Sequence, residues 1–146
     1  MQESQNVRST RDVIQAVNDY RFDAILDLAT DDIIVRQPFA AAGQPERYQG
    51  REAFVNGLRF IPTMFESFNL DITAVYDCPS ANAVAFEQTS RGVFRANGSE
   101  YRNLYMMIFK FRDGKLAEWI EHYDPRLMIE ALTPILAKMG VSASGA

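Results

Sequence analysis

A carboxylate set among aromatic side chains is the feature of this sequence best suited to chemistry. In Trp119-Ile120-Glu121-His122-Tyr123, strand alternation puts Trp119, Glu121 and Tyr123 on one face and His122, the only histidine, on the other. A carboxyl group desolvated by such neighbours has its charged form disfavoured, so its pKa rises toward the range useful for general acid or base work. Glu121 is therefore the candidate proton-transferring residue. The competing reading is an ion pair with Arg91 or a lysine, which makes the charge structural. Tyr105 and Asn103 are candidates to orient a substrate carbonyl or to hold Glu121, since both side chains donate and accept hydrogen bonds. Their alternative is sheet packing with satisfied polar ends.

Which side chains share a face with Glu121 depends on the Asp113-Gly114 hairpin. A two-residue turn places Met106 opposite Glu121; a three-residue loop with Gly114 as the bulge places Tyr105 there. The second reading leaves more formal charges outside, where desolvation costs less. It gives an inner face of Tyr101, Asn103, Tyr105, Met107 and Phe109 beside Ala117, Trp119, Glu121 and Tyr123. Arg102, Lys110, Glu118 and His122 lie outside with Leu104, Met106, Ile108, Leu116 and Ile120. The same offset at Asn97-Gly98 points Glu87, Thr89 and Arg91 inward, with Glu87 and Arg91 placed to pair at a pocket rim. Trp119, Tyr123, Met107, Phe109, Gln37, Tyr20, Glu87 and Arg91 are the candidate substrate-binding residues. Apolar Met106, Ile108 and Ile120 among the outer charges lead us to expect a homodimer through that face.

The elements that position these residues follow from periodicity. Thr10 is placed to cap a helix over 11–20, and Phe22, Ile25, Leu26 and Ala29 mark a second. Ile33-Ile34-Val35-Arg36-Gln37, stopped by Pro38, reads as a short strand after a solvated Asp31-Asp32 turn, and 40–50 as a loop. Phe54, Leu58, Ile61 and Phe65 mark a third helix that Pro62 kinks or ends. A period-two strand runs through Phe68, Leu70, Ile72, Ala74 and Tyr76, and strands over 83–95, 101–112 and 115–123 form a meander. Asp124-Pro125 opens a short C-terminal helix within 125–139, regular to Leu132 until Thr133-Pro134 interrupts it.

The 146 residues, 47% of them hydrophobic, fit one domain with a sizeable core. A net charge of −4 with no basic cluster argues against nucleic acid or an anionic membrane as partner. No apolar run approaches a membrane span, and we expect a cytoplasmic protein. One cysteine, Cys78, and one histidine leave no zinc cage, so no metal or other cofactor is expected.

The order of these elements, with Phe22-Asp23-Ala24-Ile25-Leu26 before Asp31-Asp32, Tyr48-Gln49-Gly50-Arg51-Glu52 at the third helix and Tyr101-Arg102-Asn103-Leu104-Tyr105 before Asp113-Gly114-Lys115-Leu116, resembles the SnoaL-like families of the nuclear transport factor two-like superfamily. It covers about 10–126 of a single domain spanning 1–146. Glu100-Tyr101-Arg102-Asn103 and Ile120-Glu121-His122-Tyr123 look closest to the phenazine-biosynthesis A/B proteins. The resemblance implies an α+β fold, a cone-shaped curved mixed or antiparallel sheet wrapped around helices as a cystatin-like α+β barrel, and a glutamate acting as general acid where Glu121 stands. It also shows departures. The tyrosine, strand aspartate and protonated aspartate of ketosteroid isomerases correspond here to Val13, Gln37 and Met107, and the third-helix histidine of the phenazine proteins to Gly57. No Arg/Asp pair has the spacing used by limonene-epoxide hydrolases. Two functions stay open: a cofactor-independent isomerase, cyclase or dehydratase acting on a small apolar, cyclic or aromatic molecule, and a non-catalytic binding or scaffold protein of the same fold.

Overall fold

The computed structural model describes residues 2–140. Its elements run α1 Gln5–Asn18, α2 Phe22–Leu28, β1 Ala29–Arg36, β2 Arg47–Gln49, α3 Arg51–Arg59, α4 Ile61–Met64, β3 Phe65–Cys78, β4 Ala83–Phe94, β5 Glu100–Arg112, β6 Lys115–Tyr123 and α5 Pro125–Lys138. The six strands form one open mixed sheet in the order β2-β1-β6-β5-β4-β3. Only β1 and β6 are parallel. This is the α+β architecture expected from the sequence.

Several boundaries differ from the sequence reading. α1 begins earlier, capped by Ser4, whose Oγ accepts from Val7 N at 3.2 Å. Thr10 is instead buried inside the helix, where its hydroxyl donates to Asn6 O at 2.8 Å. β1 begins at Ala29, so Asp31 and Asp32 lie within a strand, paired with Arg51 and Arg112. α3 ends at Arg59, Phe60 separates it from a one-turn α4 with Pro62 in its first turn, and Pro134 lies inside α5 without ending it. Asp124 caps α5 by accepting from Arg126 N at 3.0 Å, and the Arg126 hydrogen bond holds its carboxyl below the usual range.

The two hairpins resolve the register by different routes. Asp113 (φ 52°) and Gly114 (φ 78°) form a two-residue turn between Arg112 and Lys115, both φ positive as the primed hairpin geometry requires. The ladder then slips: Phe111 faces Leu116, but Lys110 faces Glu118, leaving Ala117 as an extra residue. That bulge returns Glu121 to the inner face, opposite Met107 rather than Tyr105 or Met106. It also corrects Leu116, which precedes the slip and is fully buried instead of outward. At Asn97-Gly98 the loop has four residues, closed by Phe94 N donating to Ser99 O at 2.9 Å. The even offset turns Phe86, Gln88 and Ser90 inward and sends Glu87, Thr89 and Arg91 outward.

An aromatic chain crosses the core beneath the site. Phe86 meets Phe109 edge-on at 4.8 Å, Phe109 meets Trp119 at 4.8 Å, and Trp119 meets Phe54 of α3 at 5.3 Å. Each such contact adds about 0.5–1.5 kcal/mol to the burial of its rings. The stack fixes the plane of Trp119 and hence the direction of its indole N–H. Phe109 and Met107 are fully buried in this layer. They support the site and, contrary to the sequence reading, do not line the cavity.

Candidate functional site

Between the inner sheet face and α3, α4 and α5 lies a cavity of about 240 Å³. Its wall is mostly apolar: Val17, Val35, Phe54, Leu58, Phe65 and Phe94 contribute, and Met128 and Leu132 of α5 close one side. Polar groups enter it from Gln37, Tyr48, Tyr101, Tyr105, Trp119 and Glu121. A second space of about 420 Å³ shares Gln37, Gly57 and Leu132 with it and adds Tyr123 and Phe60, forming an outer vestibule.

Glu121 is the one carboxylate in the wall. Gln37, just beyond the end of β1, donates its Nε2–H to Oε2 at 3.0 Å, and Trp119 Nε1 donates to Oε1 at 3.4 Å. The residue retains partial accessibility because its carboxylate faces the cavity, yet protein surrounds it on all sides. Burial raises its pKa from the usual 4.5 to about 7, against the two neutral donors, which pull it down. Among the described residues no Arg or Lys lines the cavity and Arg91 reaches Glu100 instead, so Glu121 does not form the ion pair with Arg91 or a lysine. Arg91 lies 3.6 Å from Glu100 on the outer face, and Glu87 accepts from the Tyr76 hydroxyl at 2.5 Å. Neither belongs to the cavity, and they do not pair with each other.

The other sequence-selected residues divide by position. Tyr105 lines the cavity and donates to Ser90 Oγ at 2.9 Å; burial pushes its phenol far up. Asn103 stands behind the wall, buried. Its Nδ2 donates to Tyr101 Oη at 2.7 Å and to Asp124 O at 3.0 Å, while its Oδ1 accepts from Asp124 N at 3.0 Å. It therefore positions Tyr101 and the start of α5. Tyr123 reaches the vestibule and accepts from Ala41 N at 3.3 Å. Tyr20 lies outside: the chain reverses there at φ 56°, and its ring stacks on Phe22 at 5.9 Å. His122 is on the outer face, its Nδ1 3.1 Å from Met106 O.

Sequence reasoning missed Tyr48. It sits on the three-residue strand β2, opposite Val35, in a stretch read as loop. A single large side chain between Arg47 and Gln49 was the only signal. Its phenol is pushed up to about 12, first by burial and then by Glu121. Met128 and Leu132, though within the expected C-terminal helix, were missed because the helix's own sequence does not show which element it packs against. Among the described residues no three His, Cys, Asp or Glu side chains are grouped to hold a metal ion, and no helix is long and apolar enough to cross a membrane.

Comparison with known proteins places this geometry. The model of a family described as the SnoaL-like domain matches residues 10–119. The uncharacterised protein YesE of Bacillus subtilis strain 168 is 24% identical over 105 residues, covering 72% of this chain and 71% of YesE. A nuclear transport factor two-like protein of unknown function from Burkholderia pseudomallei superposes with a TM-score of 0.78 at 18% identity, over 90% of this chain and 99% of that one. A phenazine biosynthesis-related protein from Pseudomonas aeruginosa does so with a TM-score of 0.74 at 17% identity, over 88% and 80%. Other structural neighbours carry isomerase, epoxide hydrolase and polyketide cyclase names. At these identities the likeness to solved structures speaks for the fold.

Proposed function

Because the chain belongs to the SnoaL-like domain family, we propose that it is a cofactor-independent enzyme that moves a proton on a small apolar, cyclic or aromatic molecule, with Glu121 as the proton carrier. The observation that carries this reading is a carboxyl enclosed among apolar walls, shifted to about 7, and held only by neutral donors. At neutral pH such a group populates both forms, which is what a residue that takes a proton and later returns it requires.

The geometry supports a two-step transfer. The Glu121 carboxylate removes a proton from carbon next to a substrate carbonyl, and the electron pair moves onto the carbonyl oxygen. The resulting acid returns the proton at a second position for isomerisation, or to a departing hydroxyl for dehydration. Gln37 keeps Oε2 oriented, while the longer bond from Trp119 leaves Oε1 the freer oxygen. The apolar wall excludes water and fixes the approach of the ligand.

Deuterium uptake from heavy water next to the carbonyl of small cyclic ketones, followed by NMR, tests the step without knowledge of the natural product. The parent should accelerate uptake. The Glu121→Gln variant keeps size and hydrogen bonding but carries no exchangeable acid, and should be slower by about a hundredfold or more. Tight binding with no uptake across the panel would sink the enzyme reading in favour of a carrier, for which the largely apolar wall is also suited.

The proposal includes a homodimer through the outer sheet face, supported by exposed Leu104 (61%) and Met106 (40%) in the middle of β5. Sedimentation at micromolar concentration checks this, and a Met106→Glu variant should be monomeric.

A further inference from the structure

Three tyrosines enter the inner cavity, and two have hydroxyls with partners in the protein: Tyr105 donates to Ser90, and Tyr101 accepts from Asn103, with no acceptor for its own proton among the described residues. The Tyr48 hydroxyl makes no hydrogen bond among the described residues. It is nevertheless given room. Gly57 lies inside α3, where glycine costs about 1 kcal/mol of helix stability relative to alanine. A Cβ at that position would stand 3.2 Å from Tyr48 Oη, tight enough that the phenol would have to give by a few tenths of an ångström. Replacing this hydrogen with a methyl would strengthen the helix, so the glycine has a spatial use, and the atom it makes room for is the unpartnered hydroxyl.

Tyr48 and Glu121 lie on different strands and face the same cavity. We propose that Tyr48 is the hydrogen-bond donor for the ligand's carbonyl oxygen, with Gly57 reserving its place, and that the preferred ligand is a substituted single-ring ketone. The size argument is direct: an apolar cavity of about 150 Å³ holds benzene, so 240 Å³ accommodates one ring with a short substituent. A longer substituent leaves past Tyr123 into the vestibule. The Tyr48 phenol stays protonated throughout the neutral range and remains a donor when Glu121 is ionised. As Glu121 takes the proton from carbon, negative charge gathers on the oxygen that Tyr48 faces, and a preorganised donor stabilises it there. This inference rests on the reading of the cavity as the ligand site and deepens it.

Acetophenone and α-methylstyrene share a skeleton and differ in carrying C=O or C=CH2, and Trp119, the only tryptophan, reports binding of either by fluorescence. The parent should prefer acetophenone by up to about tenfold, the span of one good hydrogen bond. Tyr48→Phe should bring that preference below about twofold and leave α-methylstyrene binding unchanged. Gly57→Ala should also weaken it, while melting no lower than the parent. A preference that survives in Tyr48→Phe overturns the proposal, as does a parent that binds both ligands equally or neither. The outcome separates from that of the proton-transfer reading. Loss of preference in Tyr48→Phe without deuterium uptake in the parent supports the donor and sinks the acid–base step. Glu121-dependent uptake with preference intact in Tyr48→Phe does the reverse.

Discussion

Strand β6 carries two glutamates three residues apart, and the sheet treats them oppositely. Glu118 faces outward, where Arg36 approaches to 3.1 Å and Lys110 to 3.5 Å. Glu121 faces inward, where the nearest donors are the neutral Gln37 and Trp119. Neighbouring residues at the end of β1 serve the two: Arg36 reaches one face and Gln37 the other. An odd spacing on a pleated strand is enough to separate a carboxylate held as a structural ion from one left near neutrality. Functional potential here lies in the partners withheld more than in the residue type.

Abolishing the difference at its active end gives the largest expected effect. Glu121→Gln removes proton transfer, with the hundredfold or greater loss of deuterium uptake described above. The same variant tests the cost of enclosure. A carboxyl whose pKa is raised on folding makes the native state bind more protons than the unfolded one between its unfolded and folded values. Parental stability should therefore fall as pH rises from about 4.5 to about 7, by about 3 kcal/mol. Glu121→Gln should lack that fall, and denaturant melts of both proteins across the window will show whether the curves converge at low pH and part above it.

Gln37→Lys would make the inner glutamate resemble the outer one. An opposite charge within a few ångströms lowers a carboxyl pKa by about 1–3 units, so the limb of the uptake rate that rises with pH should move down by that amount. An unmoved limb would mean that Glu121 is not the titrating base. At the outer end Glu118→Gln should change stability by at most about 1 kcal/mol, since its partners are roughly half exposed, and should leave uptake within twofold. The smallest effect belongs to His122→Ala, whose uptake should match the parent's, because its imidazole lies on the outer face.

Much of this contrast is legible in the sequence. Period-two alternation placed Trp119, Glu121 and Tyr123 together and His122 apart, since alternation within a strand is independent of its neighbours. Register across strands was less accessible. Placing Glu121 inward from a three-residue loop gave the observed face through a different device, a two-residue turn followed by a bulge at Ala117. Carrying the same offset to Asn97-Gly98 misplaced Glu87 and Arg91, because a four-residue loop closes there. Asn-Gly and Asp-Gly announce a reversal without fixing how many residues it spans. Tyr48 escaped because a three-residue strand is too short to show a period, and Met128 and Leu132 because a helix's pattern does not say what it packs against.

The C-terminal helix is a lightly docked part of the cavity wall. α5 has no fully buried residue, yet Met128 and Leu132 form part of the cavity wall. It rests on a small cluster of Phe65, Phe94 and Tyr101 separate from the main core. A segment docked so lightly detaches at a fraction of the free energy of global unfolding. For a ligand in the proposed site, opening of α5 would offer a route in and out that leaves Glu121 on β6 undisturbed.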